Sequence, residues 1–121
     1  MDTETFESIV VEALDSLPPE FARYLENVEI QIERRPTHEH RRVVNLKPWQ
    51  TLYGLYQGVP LPERAGGAPL MPDIITLFQE PLEHDFPGRE QLRAQVRRTL
   101  LHEIAHFFGI SDARLRELDA Y

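Results

Sequence analysis

His102-Glu103-Ile104-Ala105-His106-Phe107-Phe108-Gly109-Ile110-Ser111-Asp112 has the form H-E-x-x-H-x-x-G-x-x-D, and each fixed letter has its own physical task. Residues four apart stack on one face of a helix, so His102 and His106 can bring two imidazole nitrogens to one cation. Glu103 projects about 100° round the helix from His102, beside such an ion rather than on it, where a general base belongs. Gly109 can adopt the left-handed conformation that ends a helix and turns the chain back. After that turn Asp112 can supply a third ligand and leave a fourth position open for water, the arrangement of a catalytic zinc site. Asp112 has a second reading, as the N-cap of a last helix over residues 113–120. Two His and one Glu at these offsets arise by chance in such a composition with a probability of roughly two per cent. Fixing Gly and Asp as well lowers that by a further factor of about 400, which outweighs the reading of two ordinary surface histidines.

Upstream of the motif, Leu92, Val96, Leu100, Ile104 and Phe107 lie on one stripe of a helix from about Arg89 to Phe108. That stripe is nearly opposite His102 and His106, and Leu101, Ala105 and Phe108 extend it to a flank. The helix can therefore pack on a sheet while both histidines face a cleft, a rigid platform for metal ligands. Strands are read in two places. Ile74-Ile75-Thr76-Leu77-Phe78 is a β-branched apolar run between Pro72 and Pro81, a buried strand. Val28, Ile30 and Ile32 alternate with Glu29, Gln31 and Glu33, a strand with one wet face.

Phe6, Ile9, Val10, Ala13, Leu14 and Leu17 follow the spacing of an amphipathic helix, which Pro18 and Pro19 stop before a short second helix through Phe21 and Leu25. Residues 37–42 are polar and read as a loop, with His38 and His40 as surface histidines. Residues 46–56 fit neither period and read as extended, with a short strand near 52–56. Residues 57–72 hold Pro60, Pro62, Pro69 and Pro72 with Gly58, Gly66 and Gly67, an irregular loop suited to be a rim or lid over a site.

At 121 residues the chain is expected to form a single domain over 1–121. Hydrophobic residues at 41% and charged residues at 27% are ordinary for a globular protein. With no cysteine, disulfides and thiolate ligation are excluded, so any zinc must be held by nitrogen and oxygen. The net charge of −7 argues against nucleic acid as a partner. Neither a signal peptide nor a membrane span is visible, so the expected location is cytoplasmic.

The chemistry that follows is hydrolysis of an amide bond without a covalent intermediate. Zinc on His102, His106 and Asp112 lowers the pKa of a water, and Glu103 takes its proton and passes it to the leaving amine. A helper for the oxyanion could come from Tyr53, Tyr56, His84 or Tyr121, with nothing in the sequence to rank them.

Three stretches together resemble the small bacterial zincin-like metallopeptidases. They are Gly54-Leu55-Tyr56-Gln57-Gly58-Val59-Pro60-Leu61, Pro72-Asp73-Ile74-Ile75-Thr76-Leu77-Phe78, and the H-E-x-x-H motif with its extension to Asp112. The resemblance implies an α+β fold, with a small mostly antiparallel or mixed sheet packed against the N-terminal helix and a zincin-type active-site helix. It also implies Zn2+ on His102, His106 and Asp112, Glu103 as base, and a peptide or protein substrate.

The wider similarity is to the metzincins, which place a methionine turn after the motif. None of the nine residues after Asp112 is Met, and Met1 and Met71 both lie upstream. Two other readings remain open at this point. One is a non-catalytic interaction module stabilised by a metal, in which Glu103 has no task. The other is a metal-dependent ribonuclease of the H-x-x-x-H-x-x-G-x-D-H kind, which carries a third His and lacks the Glu, and whose substrate suits a basic surface.

Overall fold

The computed structural model describes residues 1–58 and 72–117. Helix α1 (Thr3–Asp15) starts where the Asp2 carboxylate accepts the Thr5 N–H at 2.8 Å, satisfying one orphan donor of the first turn. It ends just before Pro18, and a 3-10 turn (Pro19–Phe21) leads into the one-turn helix α2 (Ala22–Leu25). The three strands are β1 (Val28–Glu33), β2 (Gly54–Gln57) and β3 (Asp73–Phe78). Between β1 and β2 lies α3 (His38–Val43). After β3 come α4 (Gln79–Asp85), the 20-residue α5 (Arg89–Phe108) and α6 (Asp112–Glu117).

The sheet is mixed, in the order β1-β3-β2, with β1 parallel and β2 antiparallel to the central β3. Its register sorts the side chains by face. Ile30 and Ile32 stand beside Ile75 and Leu77, which stand beside Tyr56 and Gly54. This is the face that meets the helices. Ile75, Leu77 and Tyr56 join Phe6, Ile9 and Ala13 of α1 and Leu92, Val96, Leu100 and Ile104 of α5 in one buried cluster. Each fully buried Leu, Ile or Phe contributes roughly 1.5–3 kcal/mol to holding the layers together. The fold is thus α+β, with α1 and α5 packed on a small mixed sheet.

Gly54 sets how closely α5 can lie on β2. A Cβ there would stand 2.7 Å from the Thr99 methyl and 3.3 Å from the Thr76 carbonyl oxygen. Only a residue without a side chain lets the helix seat at this distance.

Three expectations need correction. Residues 38–43 are helical rather than a loop, because Thr37 and His40 form a reciprocal capping box that starts a helix without any apolar periodicity. The short strand expected near 52–56 is displaced to Gly54–Gln57. Phe107 and Phe108 are 46% and 41% exposed rather than part of the buried stripe, because the last turn of α5 runs past the packed layer. Of the loop expected over 57–72, residues 59–71 lie outside the described residues. Among the described residues no helix is long and apolar enough to cross a membrane.

Candidate active site

The H-E-x-x-H sequence occupies the last two turns of α5. The helix ends at Gly109, whose φ of 71° is left-handed and whose N–H donates to the Ala105 carbonyl, as the sequence leads one to expect. The two histidines share a helix face but not an environment: His102 is half-buried, with its Nε2 shielded from solvent, and His106 is exposed.

Glu103 is also half-buried, and its Oε1 accepts the backbone N–H of Tyr56 at 2.9 Å. The edge position of β2 makes that donor available. Because the Phe78 N–H donates to the Tyr53 carbonyl, antiparallel alternation ties Leu55 to Thr76 and turns the polar backbone groups of Gly54 and Tyr56 away from the ladder. Burial pushes the Glu103 carboxyl above the usual carboxylate range. The Tyr56 N–H and the nearby His106 oppose the shift without cancelling it. A carboxylate raised in this way is a better proton acceptor near neutral pH.

A cavity of about 520 Å3 opens at this point. Glu103, His106 and Phe107 of α5 form one wall, Gly54, Leu55 and Tyr56 of β2 another, and Val44, Leu46, Gln50 and Leu52 the third. A larger cavity, about 590 Å3, lies between Phe21, Tyr24, Ile110 and Arg114 and reaches none of the motif's His or Glu side chains. The motif's Glu103 and His106 thus open on the smaller of these two cavities.

Among the described residues no three His, Asp or Glu side chains are grouped closely enough to hold one ion. His102, His106 and Asp112 are therefore not brought together into one ligand group. The capping role of Asp112 falls to its neighbour, since the Ser111 Oγ accepts the Arg114 N–H at 3.1 Å. Asp112 is the first residue of α6, exposed, and its carboxylate has no hydrogen bond or ion pair to a described residue. Imidazole nitrogen and carboxylate oxygen are donor types that suit zinc, and of the motif's three His and Glu side chains the cleft is lined by Glu103 and His106.

The sequence offered four helpers for an oxyanion. Tyr53 and His84 are both hydrogen-bonded to Asp85, away from the cleft wall. The Tyr56 hydroxyl donates to buried Asp73 at 2.7 Å, and Tyr121 lies outside the described residues. Reasoning from sequence missed Gln50. Its side-chain oxygen accepts the Lys47 N–H at 2.9 Å, which restrains an amide on the cleft wall. It also missed the Tyr56 backbone as partner of Glu103, a contact spanning 47 positions that no local pattern signals.

The family model described as zincin-like metallopeptidase matches residues 25–121, which takes in the sheet, the cleft and the whole motif. No curated protein matches the chain.

Proposed function

The chain belongs to the zincin-like metallopeptidase family, and from that premise we propose that it is a zinc-dependent peptidase with His102, His106 and Asp112 as ligands and Glu103 as general base. The observation that carries the proposal is the state of Glu103: half-buried, raised in pKa, held by the Tyr56 N–H, and open to the same cleft as His106.

Held by these residues, zinc would supply a Lewis acid for the scissile carbonyl and for an attacking water. Glu103 takes the proton from that water. With Oε1 engaged by Tyr56, its Oε2 is the atom that receives the proton and later delivers it to the leaving amine. A peptide substrate finds unpaired backbone groups of Gly54 along the free edge of β2, the means by which an extended chain adds to a sheet. Val44, Leu46, Leu52 and Phe107 form an apolar wall for one of its side chains, and Gln50, on the same cleft, would be a donor for a carbonyl. Asp112 is uncommitted to any cap, and to serve as the third ligand it would have to move from its exposed place at the start of α6 towards the histidines.

The test is metal analysis joined to cleavage of a peptide library. The protein is expected to bind about one zinc per chain, and Glu103→Gln to retain that zinc while losing cleavage. Cleavage that survives Glu103→Gln overturns the assigned base. Zinc bound at full occupancy by a wild-type protein that cleaves nothing favours the metal-stabilised interaction module instead.

A further inference from the structure

We propose that Tyr56 is a positioning residue for Glu103, and that a Tyr56–Asp73–Phe107 clamp aims its backbone N–H at the carboxylate. The inference rests on Glu103 being the functional carboxylate, as argued above.

Three contacts converge on Tyr56. Its hydroxyl donates to the buried Asp73 carboxylate at 2.7 Å, fixing the far end of the ring to the central strand. Its ring is stacked on Phe107, with centroids 4.1 Å apart and planes 16° from parallel. Its N–H donates to Glu103 at 2.9 Å. Glu103 and Phe107 are four apart on α5, so they project from one face of the helix. One helix face thus grips one strand residue twice, by its backbone and by its ring.

The glycines on either side have the same cause. Gly54, Tyr56 and Gly58 are spaced by two. A Cβ on Gly54 would run into Thr99, and a Cβ on Gly58 would stand 2.4 Å from the Phe107 ring. Glycines at both flanking positions let the helix close over the tyrosine between them. The G-x-Y-x-G run, the Asp73 that begins β3 and the H-E-x-x-H helix are distant in sequence and meet in this one constellation. A carboxylate that must exchange a proton repeatedly gains from a fixed donor on its other oxygen, since the accepting atom then stays in one orientation.

Amide hydrogen exchange tests the clamp without requiring catalysis. In the wild-type protein the residue 56 amide faces the free edge of the sheet, so its protection depends on Glu103, and Glu103→Ala should abolish it. Tyr56→Phe keeps the ring and the backbone but removes the bond to Asp73. It is expected to lower protection at residue 56 about tenfold or more, while the Leu55 amide, tied to Thr76, keeps its protection. Asp73→Asn retains an acceptor for the hydroxyl and should restore most of the protection that Asp73→Leu loses. With a cleavable peptide in hand, Tyr56→Phe should lower kcat and leave KM and zinc content near the wild-type values.

Unchanged protection at residue 56 in Tyr56→Phe overturns the clamp, whatever the activity. Equal loss at residues 55 and 56 also overturns it, because a general structural role is then sufficient. Selective loss at residue 56 from a protein that cleaves nothing upholds the clamp and counts against the peptidase reading alone.

Discussion

Replacing Gly54 by alanine probes the contact that seats α5 on the sheet. The new Cβ would stand 2.7 Å from the Thr99 methyl, where ordinary contact begins at 3.4 Å, so helix and strand must part by about 0.7 Å or the methyl must be displaced. Overpacking of this kind costs about 1–3 kcal/mol, a fall in the urea midpoint that is easily measured. The same displacement reaches the site, because Thr99 is one turn before Glu103 on α5. It would lengthen the bond from Tyr56 to Glu103 to about 3.6 Å, past the useful range of a hydrogen bond.

Thr99→Ser separates this clash from other effects. It removes the offending methyl but keeps the Oγ that accepts from the Gln95 side chain at 3.2 Å. Alone it should cost about 1 kcal/mol for the buried methyl. Combined with Gly54→Ala, the total should fall short of the sum by about 1 kcal/mol or more. Recovery will be partial, since the Thr76 carbonyl oxygen would still lie 3.3 Å from the new Cβ and backbone cannot be trimmed. Strictly additive losses in urea unfolding, or a Gly54→Ala protein as stable as the parent, would refute close seating as the reason for this glycine.

Two further outcomes follow from the site and its surroundings. Ser111→Ala should cost about 1 kcal/mol of stability through the lost cap and leave zinc affinity unchanged, whereas Asp112→Ala should weaken zinc binding with little effect on the apoprotein. A zinc titration of both variants checks this, and equal zinc affinity for Asp112→Ala and wild type removes Asp112 from the ligand set. For pH, burial first and then the Asp85 carboxylate push the Tyr53 phenol up to about 12. The folded value exceeds the unfolded one near 10, so the stabilisation is complete below pH ~10 and is lost as pH rises from there towards about 12. Phenolate absorbance should show a late-titrating component that is lost in Tyr53→Phe and moves earlier in Asp85→Asn.

The elements legible in the sequence were those whose burial imposes a period. The stripe from Leu92 to Ile104 located α5, and the alternation of Val28, Ile30 and Ile32 located β1. Helix α3 was illegible because its stability comes from the Thr37–His40 box, leaving His38–Val43 polar and without a face. At the motif, spacing fixed which residues share a helix face. It offered Asp112 as the cap of the last helix and missed Ser111, since both residue types cap helices and the choice depends on where the backbone turns. Nor could it find the Tyr56 contact, which exists only because the third strand in the chain becomes the middle one in the sheet.

That strand order also governs assembly during synthesis. Both β1 and β2 precede the strand they pair with, so until β3 emerges each presents two unpaired edges and has no ladder to join. The parallel pairing of β1 with β3 must then close a long intervening segment, a slow step for so short a chain. Helix α5 is made later still. Glu103 meets Tyr56 only after nearly all of the sheet and its covering helix are in place, so a nascent chain carries the motif's histidines before it has a cleft for them to serve. Such a protein depends on rapid closure around β3, and substitutions that weaken that strand should reveal themselves first as aggregation during expression.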